Sequence, residues 1–110
     1  MAKLNFENKW VLVTGASSGL GRAIARRLAE KEKAHLVIAA RRKERLEQLK
    51  TEIESANNIR VEVISVDLSS NEGIEHLFNR AVEAADIYAV INNAGLTDYG
   101  ESDQVNLTSY

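Results

Sequence analysis

Three glycines, Gly15, Gly19 and Gly21, stand in VTGASSGLGRA at the spacing G-x-x-x-G-x-G. Each has its own physical use if the segment turns from a strand into a helix. Gly15 lets the chain leave the strand sharply, because a residue without Cβ is free in φ. Gly19 lets a pyrophosphate approach backbone N–H groups without meeting a side chain, and Gly21 lets the following helix pack close to the sheet. The N-terminus of that helix supplies unpaired N–H donors and a partial positive charge. Ser17 and Ser18 add hydroxyl donors at the same place. The competing reading is a tight turn with no ligand, and a glycine pattern alone does not separate the two; a strand before it and a helix after it do. A Walker loop is excluded, since that needs a lysine after the last glycine and then Ser or Thr, whereas Arg22 and Ala23 follow Gly21.

A second group of residues lies about 20 positions further on, where dinucleotide sites usually carry an acid for the ribose 2′-hydroxyl. Here Ala39 and Ala40 occupy that place, Arg41 and Arg42 follow, and no carboxylate comes before Glu44. A bare 2′-hydroxyl would lack its acceptor, and a 2′-phosphate would gain two guanidinium groups suited to it in charge and geometry. NADP(H) is therefore expected over NAD(H). The alternative, that RRKER is only a solvated helix start, leaves a basic cluster opposed to the helix dipole without a reason.

Two further places could border a ligand. Asp67, in ISVDLSS, could accept from an adenine amino group at the carboxyl edge of a sheet. It could equally cap the next helix. In INNAG, Asn92 and Asn93 offer donors and acceptors while Ala94 and Gly95 leave room beside the strand. The same residues also suit a plain turn.

These residues need elements to carry them, and the hydrophobic pattern supplies alternation. Short apolar, β-branched runs at 9–15, 35–40, 59–66 and 87–92 predict four buried strands. Amphipathic spacing predicts helices at 19–32 (Leu20, Ile24, Leu28), 43–55 (Leu46, Leu49, Ile53) and 69–85 (Ile74, Leu77, Phe78, Ala81, Val82). Residues 105–110 read as the start of a fourth helix. Strands joined by helices imply parallel pairing with crossovers. The predicted fold class is α/β, a Rossmann-like doubly wound parallel sheet of order 3-2-1-4 with helices on both faces, incomplete as it stands.

Composition narrows the partners. With 110 residues, 45% hydrophobic, 27% charged and a net charge of −2, the chain suits one soluble domain and offers no polyanion-binding surface, so no nucleic acid is expected. No apolar run approaches a membrane span and the N-terminus has no signal-like core, so no membrane is expected and the cytoplasm is the default location. Cysteine is absent, which removes disulfides and thiolate metal sites. His35 and His76 have no ligand-type residue at metal spacing, so no metal is expected. Trp10 reads as packing.

Taken in order, TGASSGLG, AARR, VDL and NNAG resemble the short-chain dehydrogenase/reductase family, over about residues 9–110. The resemblance implies that Gly15, Ser17, Ser18, Gly19, Leu20 and Gly21 line the pyrophosphate and nearby ribose. It implies that Arg41, with Arg42 near it, meets the 2′-phosphate of NADP(H). Asp67 and Leu68 would border the adenine, and Asn93, Ala94 and Gly95 would flank the adenosine ribose and the bridge toward nicotinamide. VNLTS resembles the family's fourth-helix motif, whose asparagine would be Asn106, holding a water in a proton relay. The implied activity is hydride transfer between the cofactor and a small carbonyl or alcohol substrate, in a dimer or tetramer formed through later helices.

The sequence also departs from the family. The family uses a Ser and a Tyr-x-x-x-Lys pair, yet four residues past Tyr88 is Asn92, four past Tyr99 is Asp103, and Tyr110 is last. Only LTDYGESD and Gln104 separate NNAG from VNL, where the family has a longer loop, so residues are absent between Asp98 and Gln104 or the loop is short. The expectation is a single partial dinucleotide-binding domain at 1–110, with the catalytic C-terminal half absent and no turnover by itself. The alternatives are a catalytically silent nucleotide-binding module or a truncated fragment. A glycine-rich methyltransferase would want an acid after the second strand, which Ala40-Arg41-Arg42 does not provide.

Overall fold

The computed structural model describes residues 5–17, 19–93 and, as a backbone strand, 106–109. The elements run β1 (Trp10–Thr14), α1 (Gly19–Glu30), β2 (His35–Ala40), α2 (Lys43–Ala56), β3 (Val61–Ser65), α3 (Asn71–Ala84), β4 (Ile87–Asn92) and β5 (Asn106–Ser109). They form one sheet in the order β3-β2-β1-β4-β5. The first four strands are mutually parallel. The expected 3-2-1-4 order is thus the observed one.

Alternation along the strands decides which helices they meet, because successive side chains point to opposite faces. Val11 and Val13 of β1, with Leu36 and Ile38 of β2, lie in one buried cluster with residues of α1 and α2. Leu12, Val37 and Val90 lie in a second cluster with Leu77 and Ala81 of α3. The sheet is covered on both faces, which is why its strands read as continuous apolar runs. The chain order explains the division. It moves outward from β1 to β3, then returns past β1 to β4, and crossovers of one hand place the returning helix on the opposite face. The direction of winding reverses between β1 and β4, and open α/β sheets bind ligands at such a point, beyond the strands' carboxyl ends.

Three helix details differ from the periodicity reading. In α1 the buried residues are Gly21, Ala25, Leu28 and Ala29, while Leu20 is 50% exposed. The seam is rotated toward small residues, and that lets α1 approach the sheet closely. Helix α1 also ends earlier than predicted; Lys33 adopts φ 58° and the Ala34 N–H returns to the Leu28 carbonyl at 3.1 Å. In α3, only Leu77 and Ala81 are buried, and Ile74, Phe78 and Val82 stay largely exposed.

The fourth helix expected at 105–110 is replaced by β5, which pairs antiparallel with β4 in the register Asn92↔Asn106, Ile91↔Leu107 and Val90↔Thr108. An unpaired strand edge presents a row of free N–H and C=O groups, and pairing satisfies them. Asn106 therefore stands on a strand rather than at the head of a helix. The relay role implied for Asn106 was tied to that helix, and the strand gives it no support.

Candidate functional site

The carboxyl ends of β1 and β4 carry the glycine turn and the asparagines, and the structure joins them directly. The Asn93 Nδ2 donates to the Gly15 carbonyl at 3.2 Å. Thr14 Oγ1, one residue earlier, donates to Asn92 Oδ1 at 2.9 Å. Asn93 is almost fully buried, at 4% exposure, so its amide has to find protein partners. The point where the winding reverses is thereby closed by side-chain bonds from β4 to the turn after β1.

Each glycine of that turn has an identifiable reason. Gly15 and Gly19 both have positive φ, 66° and 51°, which other residues adopt only with strain. Gly21 is fixed by contact. A Cβ there would collide with the Gly15 carbonyl oxygen and lie 2.7 Å from Asn93 Nδ2. Thus α1 packs on the turn and on Asn93, and only glycine fits between them. Gly19 differs, since among the described residues a Cβ there would meet nothing within 4 Å. It opens α1 toward free space, with the helix's unpaired N–H groups next to it. Leu20 beside it is half exposed. Ser17 is partly buried; Ser18, Ala94 and Gly95 lie outside the described residues.

Beyond β2, Arg42 takes the N-cap position of α2 with no side-chain capping bond. Arg41 and Arg42 are both exposed, so two cations stand at a helix start where the dipole disfavours them. Arg41 Nη2 lies 3.9 Å from Asp67 Oδ2, with the Arg41 side chain 75% exposed; such a surface pair contributes little stability.

Asp67 and Leu68 follow β3. Asp67 is not the cap of α3: Ser70 holds that place, accepting from the Gly73 N–H at 2.9 Å. Asp67 Oδ1 instead accepts from the Ser69 hydroxyl at 2.6 Å and the Ser69 N–H at 2.9 Å. Those two bonds, the hydroxyl's first, hold its carboxyl below the usual range against an opposing effect of desolvation, and the nearby Arg41 adds the least. Gly73, in the first turn of α3, has a contact reason: a Cβ there would collide with the Asp67 carbonyl oxygen. Leu68 is partly buried against the α3-side cluster.

Two residues escaped the sequence reading. Thr14 bridges to Asn92, and its only signal was a hydroxyl at the last position of a buried strand. Ser65, at the end of β3, donates to the Arg41 carbonyl at 3.0 Å, and nothing in its spacing announced that. Among the described residues no cluster of metal-ligating side chains occurs, and no helix is long and apolar enough to cross a membrane.

Comparison with known proteins gives the family. The family model described as short chain dehydrogenase matches residues 9–110. An NADP-dependent 3-hydroxy acid dehydrogenase of Schizosaccharomyces pombe is 38% identical over 91 residues, which is 82% of this chain and 35% of that relative. A short-chain dehydrogenase from Sphingobium yanoikuyae, solved in complex with NADPH, is similar with a TM-score of 0.66 and 35% identity, covering 73% of this chain and 31% of that one. An alcohol dehydrogenase from the archaeon Thermococcus sibiricus, solved with 5-hydroxy-NADP, has a TM-score of 0.71 and 34% identity, covering 76% and 36%. The chain spans about a third of the length of the curated relatives it matches. With the glycine turn, the β4 asparagines and the reversed winding all inside the matching stretch of 9–110, this chain belongs to the short chain dehydrogenase family.

Proposed function

We propose that this chain is the cofactor-binding part of an NADP(H)-dependent oxidoreductase acting on a small carbonyl or alcohol. The observation that carries the cofactor assignment is the end of β2, where Ala39 and Ala40 replace an acid and the exposed guanidinium of Arg41 follows. The residues fit such a group. Gly19 faces open space at the head of α1, which suits a pyrophosphate at a helix N-terminus. Arg41, with Arg42 beside it, suits a 2′-phosphate, and the uncapped basic start of α2 then has a purpose. Gly15, Ser17, Ser18, Leu20 and Gly21 would shape the pyrophosphate turn, Asp67 and Leu68 the adenine border, and Asn93, Ala94 and Gly95 the path toward the nicotinamide. Relatives named as NADP-dependent or solved with NADPH support the same choice. Bound there, the cofactor would supply hydride, and the protein's part is to bind, orient and shield it.

The whole protein would be a cytoplasmic homo-oligomer with this chain as one partial domain. A second reading, a nucleotide-binding module without turnover, is favoured by one feature: no tyrosine of the 110 residues has a lysine four positions on. The test of the cofactor assignment is Arg41→Asp. An acid here would repel the 2′-phosphate and accept from a 2′-hydroxyl, so the variant should prefer NAD⁺ over NADP⁺ by calorimetry. An unchanged preference would refute the assignment.

A further inference from the structure

We infer that Ser65 is a positioning residue for the arginines at the end of β2, and through them a determinant of preference for a 2′-phosphate; this rests on reading Arg41 as the phosphate contact. Strand β3 runs parallel to β2 with Ser65 opposite Ala40. The Val66 N–H donates to the Ala40 carbonyl at 2.9 Å. There the regular ladder ends, because the chain turns at Arg41 toward α2. The next carbonyl, that of Arg41, is taken by the Ser65 hydroxyl at 3.0 Å. A side chain thus continues the ladder one step past the place where backbone pairing stops.

That step lies under the cationic corner. Helix α2 has no side-chain cap at Arg42, so among the described residues the Ser65 hydroxyl is the side-chain hydrogen bond that holds this stretch of backbone. No cis peptide occurs in it, and in a trans peptide the N–H of Arg42 points opposite to the carbonyl of Arg41. Fixing that carbonyl therefore fixes two things: the Cα from which the Arg41 guanidinium extends, and the direction of an N–H at the head of α2. Among the described residues the Arg41 side chain itself is tethered by one long pair, 3.9 Å from Asp67, and is 75% exposed. Its placement depends on the backbone below it. A contact that orders the base of a long, mobile cation reduces the entropy lost when the cation binds an anion.

The role is specific to the phosphate, and the experiment uses that. NADP⁺ and NAD⁺ are titrated into the wild-type chain and into Ser65→Ala, Ser65→Thr and Arg41→Ala, with thermal melts of each. Ser65 is exposed, so Ser65→Ala should melt close to wild type. The greater freedom of the Arg41 backbone that has to be ordered on binding should weaken NADP⁺ about threefold or more while NAD⁺ stays within about twofold. Ser65→Thr, which keeps the hydroxyl, should recover most of the NADP⁺ affinity. If Ser65→Ala weakens both cofactors alike, or neither, while Arg41→Ala selectively loses NADP⁺, the role of Ser65 is overturned and the Arg41 reading stands. If Arg41→Ala leaves the ratio of the two affinities unchanged, the Arg41 reading fails and this inference falls with it.

Discussion

At the scale of single residues, the three glycines are not interchangeable. Gly15 and Gly19 are required by backbone angle, while Gly21 is required by contact with the Gly15 carbonyl and the Asn93 amide. Replacing Gly21 by Ala sets a Cβ against backbone rather than against a movable side chain tip, so the strain has to be relieved by moving α1. Gly21→Ala is expected to lose about 1–3 kcal/mol of stability, read as a lower urea midpoint, and to weaken cofactor binding as the turn shifts. An unchanged midpoint would show that α1 has slack the structure does not suggest. The G-x-x-x-G-x-G spacing revealed that something had to come close at these positions. It did not reveal that the Asn93 side chain, 78 residues beyond Gly15, supplies part of the wall. A bond between residues so far apart follows from strand order, and no local spacing encodes it.

At the scale of elements, the strands were the most legible part because both faces are buried, and the apolar runs at β1, β2 and β4 are visible without any partner. Helix faces were less so. Periodicity picked Leu20, Ile24 and Leu28 for α1; Leu28 is buried and Ile24 packs partly buried against the same cluster, whereas Leu20 is exposed and the small residues Gly21, Ala25 and Ala29 complete the seam and allow closer approach. Residues 105–110 read as a helix start, and residues 106–109 instead form β5. Leu107 and Thr108 suit a strand, and β4 offered an edge to pair with. One strand-to-strand contact has a measurable consequence at the opposite end of the sheet. His35 Nδ1 accepts the Arg60 N–H at 3.0 Å, and its ring lies against Trp10, tilted by 35° with centroids 5.1 Å apart. Burial first, and the Arg60 guanidinium second, hold its pKa below the usual 6.5. The unfolded chain therefore binds the proton more readily. The stability this histidine contributes is fully present above about pH 6.5 and is lost as pH falls through the lower folded-state value. Urea midpoints should decline between neutral pH and about pH 5, and His35→Asn, whose Oδ1 can accept in place of Nδ1 without titrating, should flatten that decline. Equal slopes in the two proteins would assign the pH dependence elsewhere.

At the scale of the whole molecule, the two faces of the sheet are unequally covered. Two helices, tied by Arg22 and Arg26 to Glu52, cover one face. Among the described residues α3 alone covers the other, where a groove of about 740 Å³ is lined by Leu12, Phe78, Val82, Ile87 and Val90. The pattern in α3 had promised a wide buried stripe, and among the described residues two of its five positions, Leu77 and Ala81, are buried, since amphipathic spacing reports which side chains seek cover and not how much cover exists. The cofactor assignment also depends on this scale, because Gly15, Arg41, Asp67 and Asn93 come to one edge only through the order 3-2-1-4. The chemistry is a different matter: no Tyr-x-x-x-Lys occurs in the 110 residues. The purified chain is therefore expected to show no NADPH-dependent reduction of simple carbonyl compounds in a spectrophotometric assay, and measurable turnover would contradict that expectation. The most direct test of the central claim is a pair of calorimetric titrations of the wild-type chain with NADP⁺ and NAD⁺ under identical salt. NADP⁺ should bind tighter by about tenfold or more, a difference of about 1.4 kcal/mol. Equal affinities, or a preference for NAD⁺, would contradict it.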